Sequence, residues 1–405
     1  MIVGILLAVL IGLLFYSWVA YPLILALLER CRATGAAETL PAPGQATSVA
    51  ILLSAHNEER FIGARLANLI EAARETASEA GRMEILVGVD GSDDGTARIA
   101  REWASSHPVI RVHDVAERRG KIRMLKDLVS RTQAGVLVFT DANTMFRSGA
   151  VPLLLRHLRD VRIGGVCGRL VLKEAPGGQR RSPEGSYWRW ETRLKAAESD
   201  LDSCLGANGA IYAVRRELFW ADIPDNTIVD DFVIGMKVRE QGRRVVYEPG
   251  AVAEEELPAL AHEWRRRVRI GSGDFQAFSL CRRCLLPRYG RFAWAFWSHK
   301  VLRWFTPHVM ILAAALALWR VIWGGGVAWS FTSPLSLVVV AGGCLLLLAA
   351  AAGRLVRSLR LDAVRPFRLF LLADHFLTMQ LAVLAGFLRF LRGDLRGHWT
   401  RTPRA

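Results

Sequence analysis

The chain has 405 residues, of which 52% are hydrophobic and 22% charged, with a formal net charge of +15. This composition excludes a disordered chain, a collagen and a small disulfide-stapled secreted domain, and the length allows two or three domains at about 150 residues each. A surplus of positive charge first suggests nucleic acid. Its placement argues against that reading, because residues 301–405 hold twelve Arg and no Lys against Asp362, Asp374 and Asp394 in the most apolar part of the chain. Arginines flanking apolar runs favour the cytoplasmic side and anionic lipid headgroups, so a membrane is the expected partner and nucleic acid is not.

Between Met1 and Leu28 the only ionisable side chains are tyrosines, and this run exceeds the roughly 20 apolar residues that cross a bilayer. It lacks a basic start and a small-residue cleavage site, so residues 1–28 read as a retained transmembrane anchor. Arg30 and Arg32 and a Pro/Gly/Ala linker over 33–46 follow, which places the next segment in the cytoplasm. From Ser48 the pattern is strand (SVAILLS), helix (Glu58–Ala73), strand (EILVGVD), helix (Thr96–Ser105), strand (VIRVHD), helix (121–132) and strand (GVLVFTD). Continuous Val/Ile/Leu strands between helices indicate an α/β domain with a parallel sheet covered on both faces. Ligands of such sheets sit beyond the carboxyl ends of the strands. The residues that end these strands, His56-Asn57-Glu58, Asp90-Gly91-Ser92 and Asp141-Ala142-Asn143, are therefore expected along one rim.

A second half follows: IGGVCGRLVL, a helical stretch near 184–199, LGANGAIYAV, a helix over Asp230–Gln241 and a short strand RRVVYEP. The Glu254-Glu255-Glu256 run reads as a solvated turn without chemistry. Residues 274–300 mix Arg, Trp and Phe as an amphipathic element at a membrane surface does. Residues 301–405 form a C-terminal membrane region with spans near 305–323 and 329–353. A third stretch, 366–390, is interrupted by Asp374, His375 and Gln380. Three crossings there would put the Arg-rich tail, 389–404, outside, against the positive-inside preference; two crossings plus an interfacial segment keep it inside. Of six cysteines only Cys281 and Cys284 are close in sequence, and no second pair or matching histidines make a zinc site.

Several constellations carry chemistry. Asp90, at a strand end before Gly-Ser-Asp-Asp-Gly-Thr, suits a hydrogen bond from a nucleobase or ribose, although Asp-Gly is also a common turn. Asp141 and Asn143 place two oxygen-bearing side chains two residues apart, where Mg²⁺ or Mn²⁺ sits beside a diphosphate or an Asx turn forms. Asp230-Asp231 opens a helix, with one carboxylate as a cap and the other as a general base, or both as a plain capping pair. Arg265, Arg266, Arg267 and Arg269 precede Gly271-Ser272-Gly273, a density of guanidinium groups suited to phosphate oxygens or to a membrane surface.

In order, SVAILLSAHNEE, EILVGVDGSDDGT, RRGKIRMLKDLV, VLVFTDANTMF, LGANGAIYAVRR and VDDFVIGMKVREQGRRVVYEPGAVAEEE resemble the family 2 inverting glycosyltransferases over about 48–273. Within that family the resemblance is to the membrane-integrated type of cellulose synthase and poly-N-acetylglucosamine synthase. It implies a GT-A fold, a Rossmann-like mixed sheet, over 46–273, a nucleotide-sugar donor, a lipid or glycan acceptor and a divalent metal, Mg²⁺ or Mn²⁺. Carried over residue by residue, it implies nucleotide contacts at Ala55, Glu58, Asp90 and Lys121, with Asp141 and Asn143 as the metal motif. Asp231 becomes the catalytic base with Asp230 beside it, and Arg269 a diphosphate contact. Two motifs depart from the family pattern, at three positions. Asn143 stands for the second Asp of Asp-x-Asp, and the Gln-x-x-Arg-Trp element of processive members keeps only Arg269, with Arg266 for Gln and Ile270 for Trp. Three functions follow as expectations: transfer of one sugar, a processive synthase with export, or an inactive nucleotide- or glycan-binding membrane subunit.

Overall fold

The computed structural model describes residues 2–32, 48–77, 80–173, 183–256, 263–323, 332–359 and 367–395. The 33–46 linker and the end of the Arg-rich tail lie outside the described residues. The chain divides into two compact units, one of Met1–Ile24, Trp264–Phe275 and Phe296–Asp394, the other of Leu25–Glu263, Gln276–Ala295 and Leu395–Ala405.

The second unit holds a sheet of eight strands: β1 (Val49–Ala55), β2 (Met83–Asp90), β3 (Ile110–Val115), β4 (Val136–Asp141), β5 (Thr144–Phe146), β6 (Ile163–Lys173), β7 (Tyr212–Arg215) and β8 (Arg244–Glu256). Their order is β3-β2-β1-β4-β7-β6-β8-β5. β3, β2, β1 and β4 are parallel, joined through helices Glu59–Thr76, Thr96–Ser106 and Lys121–Ser130. Ile51, Leu53, Val87, Val89 and Val138 are wholly buried, and each such side chain contributes about 1.5–3 kcal/mol. The helix Glu59–Thr76 covers them with Ile62, Leu66, Leu69 and Ile70, spaced to lie on one helical face.

The parallel pattern read from the first four strands holds for them, and the second half makes the sheet mixed, as the resemblance implies. β7 runs antiparallel to both β4 and β6, β6 is parallel to β8, and β8 is antiparallel to β5. The sheet is mixed, and its strand order reverses direction beside β1. Chain progress runs outward from β1 through β2 to β3, then returns to β4 on the other side of β1. Such a switch point leaves a crevice at the carboxyl ends of β1 and β4.

β8 also corrects the short strand and solvated turn expected at its end. It continues to Glu256 past a register shift, with Gly168 opposite Glu248 and Arg169 opposite Val252. A Cβ on Gly168 would come within 2.5 Å of the Ala251 carbonyl oxygen, so the bulge closes only over glycine. Glu254 then pairs with Arg147 and Lys173, and Glu255 sits opposite Thr144 of β5.

Among the described residues, four helical stretches are long and apolar enough to cross a membrane: Ile2–Cys31, Thr306–Trp323, Pro334–Ser358 and Arg368–Leu391; all belong to the other unit except the end of the first, from Leu25 on. Leu7 packs on Ala313 and Ala317. Two π-helical turns, Tyr16–Ala20 and Phe296–Val301, meet through polar groups. Ser17 Oγ donates to the Ser298 carbonyl at 3.0 Å, and the Tyr16 and Ser298 hydroxyls lie 2.8 Å apart. The stretch interrupted by Asp374 is nevertheless one continuous helix, because the buried Asp374 carboxylate is 3.2 Å from Arg354 and 2.9 Å from Arg357. A buried carboxylate is tolerated in apolar surroundings when it is paired.

Candidate active site

The parallel registers bring the polar residues that follow β1, β2 and β4 to one edge of the sheet. A cleft of about 440 Å³, open to solvent, is lined there by Ser54, His56, Glu58, Asp90, Arg118, Gly120, Lys121, Asp141, Ala142 and Asn143. Ala55 is the buried last residue of β1, between two of these lining residues.

The loops after β1 and β2 are tied together. His56 Nδ1 donates to the Asp90 carbonyl oxygen at 2.8 Å. The side-chain amide of Asn57, a residue at the positive φ of 55°, donates to Asp93 Oδ1 and accepts from the Asp93 backbone N–H. The backbone N–H of Glu58 donates to Thr96 Oγ1 at 2.8 Å. Asp94 accepts from the backbone N–H groups of Glu59 and Thr96, so it, rather than a ligand, satisfies those helix-start donors.

Asp90 is buried, and its carboxylate accepts two backbone hydrogen bonds, from Arg119 N at 2.7 Å and Gly120 N at 2.8 Å. It therefore positions the 118–120 loop, while each oxygen keeps a lone pair for a further donor. The loop comes this close because Gly91 has φ of 61°; a Cβ there would stand 2.4 Å from Arg118 N. Burial pulls the Arg118 guanidinium below its usual range, and the Asp90 charge opposes that shift.

Lys121, the first residue of its helix, reaches Asp141 Oδ1 at 2.9 Å and Asp230 Oδ2 at 3.4 Å. Burial alone would lower its pKa, but the charges of Asp141, Asp230 and Asp231 raise it well above the lysine range. It remains an ammonium. Asp230 and Asp231 open the helix Asp230–Glu240, just past the N-cap position Val229, and the helix N-terminus favours negative charge. Asp230 is buried, and its Oδ2 accepts no hydrogen bond. Asp231 Oδ1 accepts its own neighbour's N–H, from Phe232, at 2.8 Å. Burial, then repulsion by Asp230, pushes the Asp231 carboxyl up to about 6, against the pull of Lys121.

A Cβ at Gly209 would lie 3.0 Å from Asp141 Oδ2, 3.5 Å from Asp231 Oδ2 and 3.5 Å from Lys121 Nζ. Asp141, Asp231 and Lys121, far apart in sequence, thus surround a space kept open by the missing side chain of Gly209. Behind Asp141, the wholly buried Arg65 donates to Thr140 Oγ1 at 2.6 Å and lies 4.2 Å over the Phe146 ring. Burial pulls its guanidinium down to about 9, with the Asp141 charge opposing.

Asn143 lines the cleft, and its Nδ2 donates to Glu255 Oε1 at 2.9 Å. Arg269 belongs to the other unit, on the helix Glu263–Leu280, where its carbonyl accepts from Ser272 Oγ at 2.7 Å. Sequence reasoning missed Arg65, Arg118, Gly209 and Glu255. Of these Arg118, Gly209 and Glu255 stood within quoted motifs, RRGKIRMLKDLV, LGANGAIYAV and the stretch ending AVAEEE, without a role; Arg65 stood in none.

Among the described residues no group of three or more His, Cys, Asp or Glu side chains is arranged to hold a metal. The cluster nonetheless suits a divalent cation shared with ligand oxygens. Lys121 pairs with both Asp141 and Asp230, a buried Asp230 oxygen accepts no hydrogen bond, and the Asp231 carboxyl is raised by burial and then by repulsion from Asp230. Mg²⁺ and similar ions bind through one or two carboxylates plus substrate phosphates.

Comparison with known proteins agrees with this fold. Residues 50–222 match the family model of glycosyl transferase family 2. The poly-beta-1,6-N-acetyl-D-glucosamine synthase of Staphylococcus aureus is 24% identical over 235 residues, 56% of this chain and 55% of that one. An N-acetylglucosaminyltransferase of Azorhizobium caulinodans is 25% identical over 217 residues, 50% of this chain and 54% of that one. The chain spans about half the length of the curated relatives it matches. Among solved structures, the mannosyltransferase PcManGT from Pyrobaculum calidifontis, in complex with GDP-Man and Mn²⁺, has a TM-score of 0.67 at 21% identity, covering 95% of this chain and 99% of that one. Sheet order, cleft and sequence match together identify a glycosyl transferase family 2 domain of GT-A fold, in a chain that also carries four helices long enough to span a membrane.

Proposed function

We propose that the chain transfers a sugar, with inversion, from a UDP-linked donor to a hydroxyl of a lipid or glycan at the cytoplasmic face of the inner membrane. The observation that carries this reading is the convergence of Asp141, Asp231 and Lys121 on the space beside Gly209.

Asp231 is the general base. Its raised carboxyl, near 6, is ionised at neutral pH yet basic enough to take the acceptor proton as the acceptor oxygen attacks the sugar carbon. Asp141 and Asn143 would hold Mg²⁺ or Mn²⁺, which when bound neutralises charge on the departing diphosphate. Lys121 stays protonated and holds Asp141 and Asp230 in place. Asp90 keeps the 118–120 loop against the nucleotide side of the cleft through its two backbone contacts. The resemblance alone supplies the roles of Ala55 and Glu58 in nucleotide contact and of Arg269 on the diphosphate. The domain limits, 46–273 for transfer and 1–28, 274–300 and 301–405 for membrane attachment, belong to the same proposal.

The test is release of UDP by the purified full chain in detergent, supplied with a panel of UDP-sugars, Mn²⁺ and a lipid or glycan acceptor. Turnover with at least one sugar is expected. A chain that binds UDP with Mn²⁺ but releases none from any UDP-sugar would be a silent binding subunit. The relatives named as polysaccharide synthases favour a second reading, processive synthesis, and product length on a gel decides it.

A further inference from the structure

The second position of the metal motif carries an amide instead of a carboxylate. The structure places a carboxylate directly behind it. Asn143 Nδ2 donates to Glu255 Oε1 at 2.9 Å. The contact is built into the sheet, because β5 pairs antiparallel to β8 with Thr144 opposite Glu255 and Met145 opposite Glu254. Neighbouring strand residues face opposite sides, and the two glutamates have separate partners. Glu254 is held by Arg147 and Lys173, whereas Glu255 meets the cleft-lining Asn143. In the run that resembled a solvated turn, Glu254 thus meets Arg147 and Lys173, and Glu255 meets a residue that lines the cleft.

We infer that Glu255 is a positioning residue for the metal motif, supplying through Asn143 the negative charge that an Asp at position 143 would carry itself. By accepting from Nδ2, Glu255 fixes the amide so that Oδ1, the only atom of that group able to ligate a cation, is left for the cleft. It also keeps a formal charge one hydrogen bond from the ion, as partners of ligating groups do in metal sites. Asn143 and Glu255 then form one unit, and the amide and the carboxylate are exchangeable between the two positions. This inference rests on the proposed metal role of Asp141 and Asn143.

The experiment titrates Mn²⁺ into the full chain in detergent, with and without UDP, reading free Mn²⁺ by electron paramagnetic resonance. Thermal melting without metal provides a control for folding. E255Q is expected to weaken Mn²⁺ binding about 10-fold to 100-fold, because the hydrogen bond survives but the charge does not. The exchanged pair N143D/E255Q restores the charge at the other position and is expected to bind within about threefold of the unmodified chain, the range set by ordinary context dependence of such contacts. E255Q binding like the unmodified chain, or the exchanged pair binding no better than E255Q, overturns the inference. D141N separates the two levels of argument: if it leaves Mn²⁺ binding unchanged, the metal reading itself falls, whatever Glu255 does. Should E255Q melt markedly lower without metal, the exchanged pair still decides, since it keeps both the hydrogen bond and the net charge.

Discussion

The two units each bury carboxylates, and they balance them in opposite ways. In the membrane-type unit one carboxylate, Asp374, faces two guanidinium groups, Arg354 and Arg357. In the sheet unit three carboxylates, Asp141, Asp230 and Asp231, share the ammonium of Lys121. The first arrangement is complete, and its positive excess lies on arginines that are mostly exposed. In the second, Lys121 pairs directly with Asp141 and Asp230, and the Asp231 carboxyl is raised by burial and by repulsion from Asp230, a cost that a proton or a cation relieves. On the proposed reading the Asp374 cluster is structural, and the cluster around Lys121 is the one that works on a ligand.

The largest test of that contrast removes the base. Asp231→Asn keeps shape and loses the proton acceptor, so turnover should fall by about 10²–10⁴, while donor affinity and melting temperature stay near those of the unmodified chain. Direct measurement of UDP release beside UDP binding reads both. Near-normal turnover would remove Asp231 from the chemistry and leave its raised carboxyl without a purpose.

A smaller effect concerns pH. The Asp231 carboxyl titrates near 6 because burial and Asp230 disfavour its charge. As a base it works only ionised, so kcat/KM should rise with pH through about 6 and level off above it. Asp230→Asn removes the repelling neighbour and favours the ionised form, so the acid limb should shift to lower pH. An unmoved limb would mean that another group titrates there. The same variant tests Lys121, whose charge would then be shared by Asp141 and Asp231 alone.

The contrast was only half legible in the sequence. β1, β2 and β4 announce themselves because strands buried on both faces need unbroken runs such as AILL and VLVF, and the residues ending them fall on one rim for the same reason. β5 does not, since three residues carry no period. β8 was cut short at Pro249-Gly250, which reads as a turn but forms a bulge, and its acidic end looked solvated because pairing with β5 is invisible in a string. Arg65, a charged residue within the helix Glu59–Thr76, is wholly buried, which its residue type does not announce. Gly209 matters through the side chain it lacks, and only coordinates reveal what that space adjoins. The third C-terminal stretch looked broken at Asp374, because its partners Arg354 and Arg357 come from the preceding helix, Thr332–Ser358.

The smallest expected effect on catalysis, and the sharpest check on the comparison, comes from that last cluster. Asp374→Asn removes a buried charge and leaves Arg354 and Arg357, both mostly exposed, free to turn to water or lipid headgroups, so it should change melting little. Replacing both arginines with leucine instead strands the buried carboxylate, and breaking a buried pair in that sense costs about 3–5 kcal/mol. Per-molecule turnover of the folded fraction should stay within about twofold in either variant, the scale of coupling between distant sites. The asymmetry is the decisive feature. If D374N destabilises as much as R354L/R357L, the arginines rather than the aspartate are the members that need compensation, and charge balance ceases to separate the structural cluster from the catalytic one.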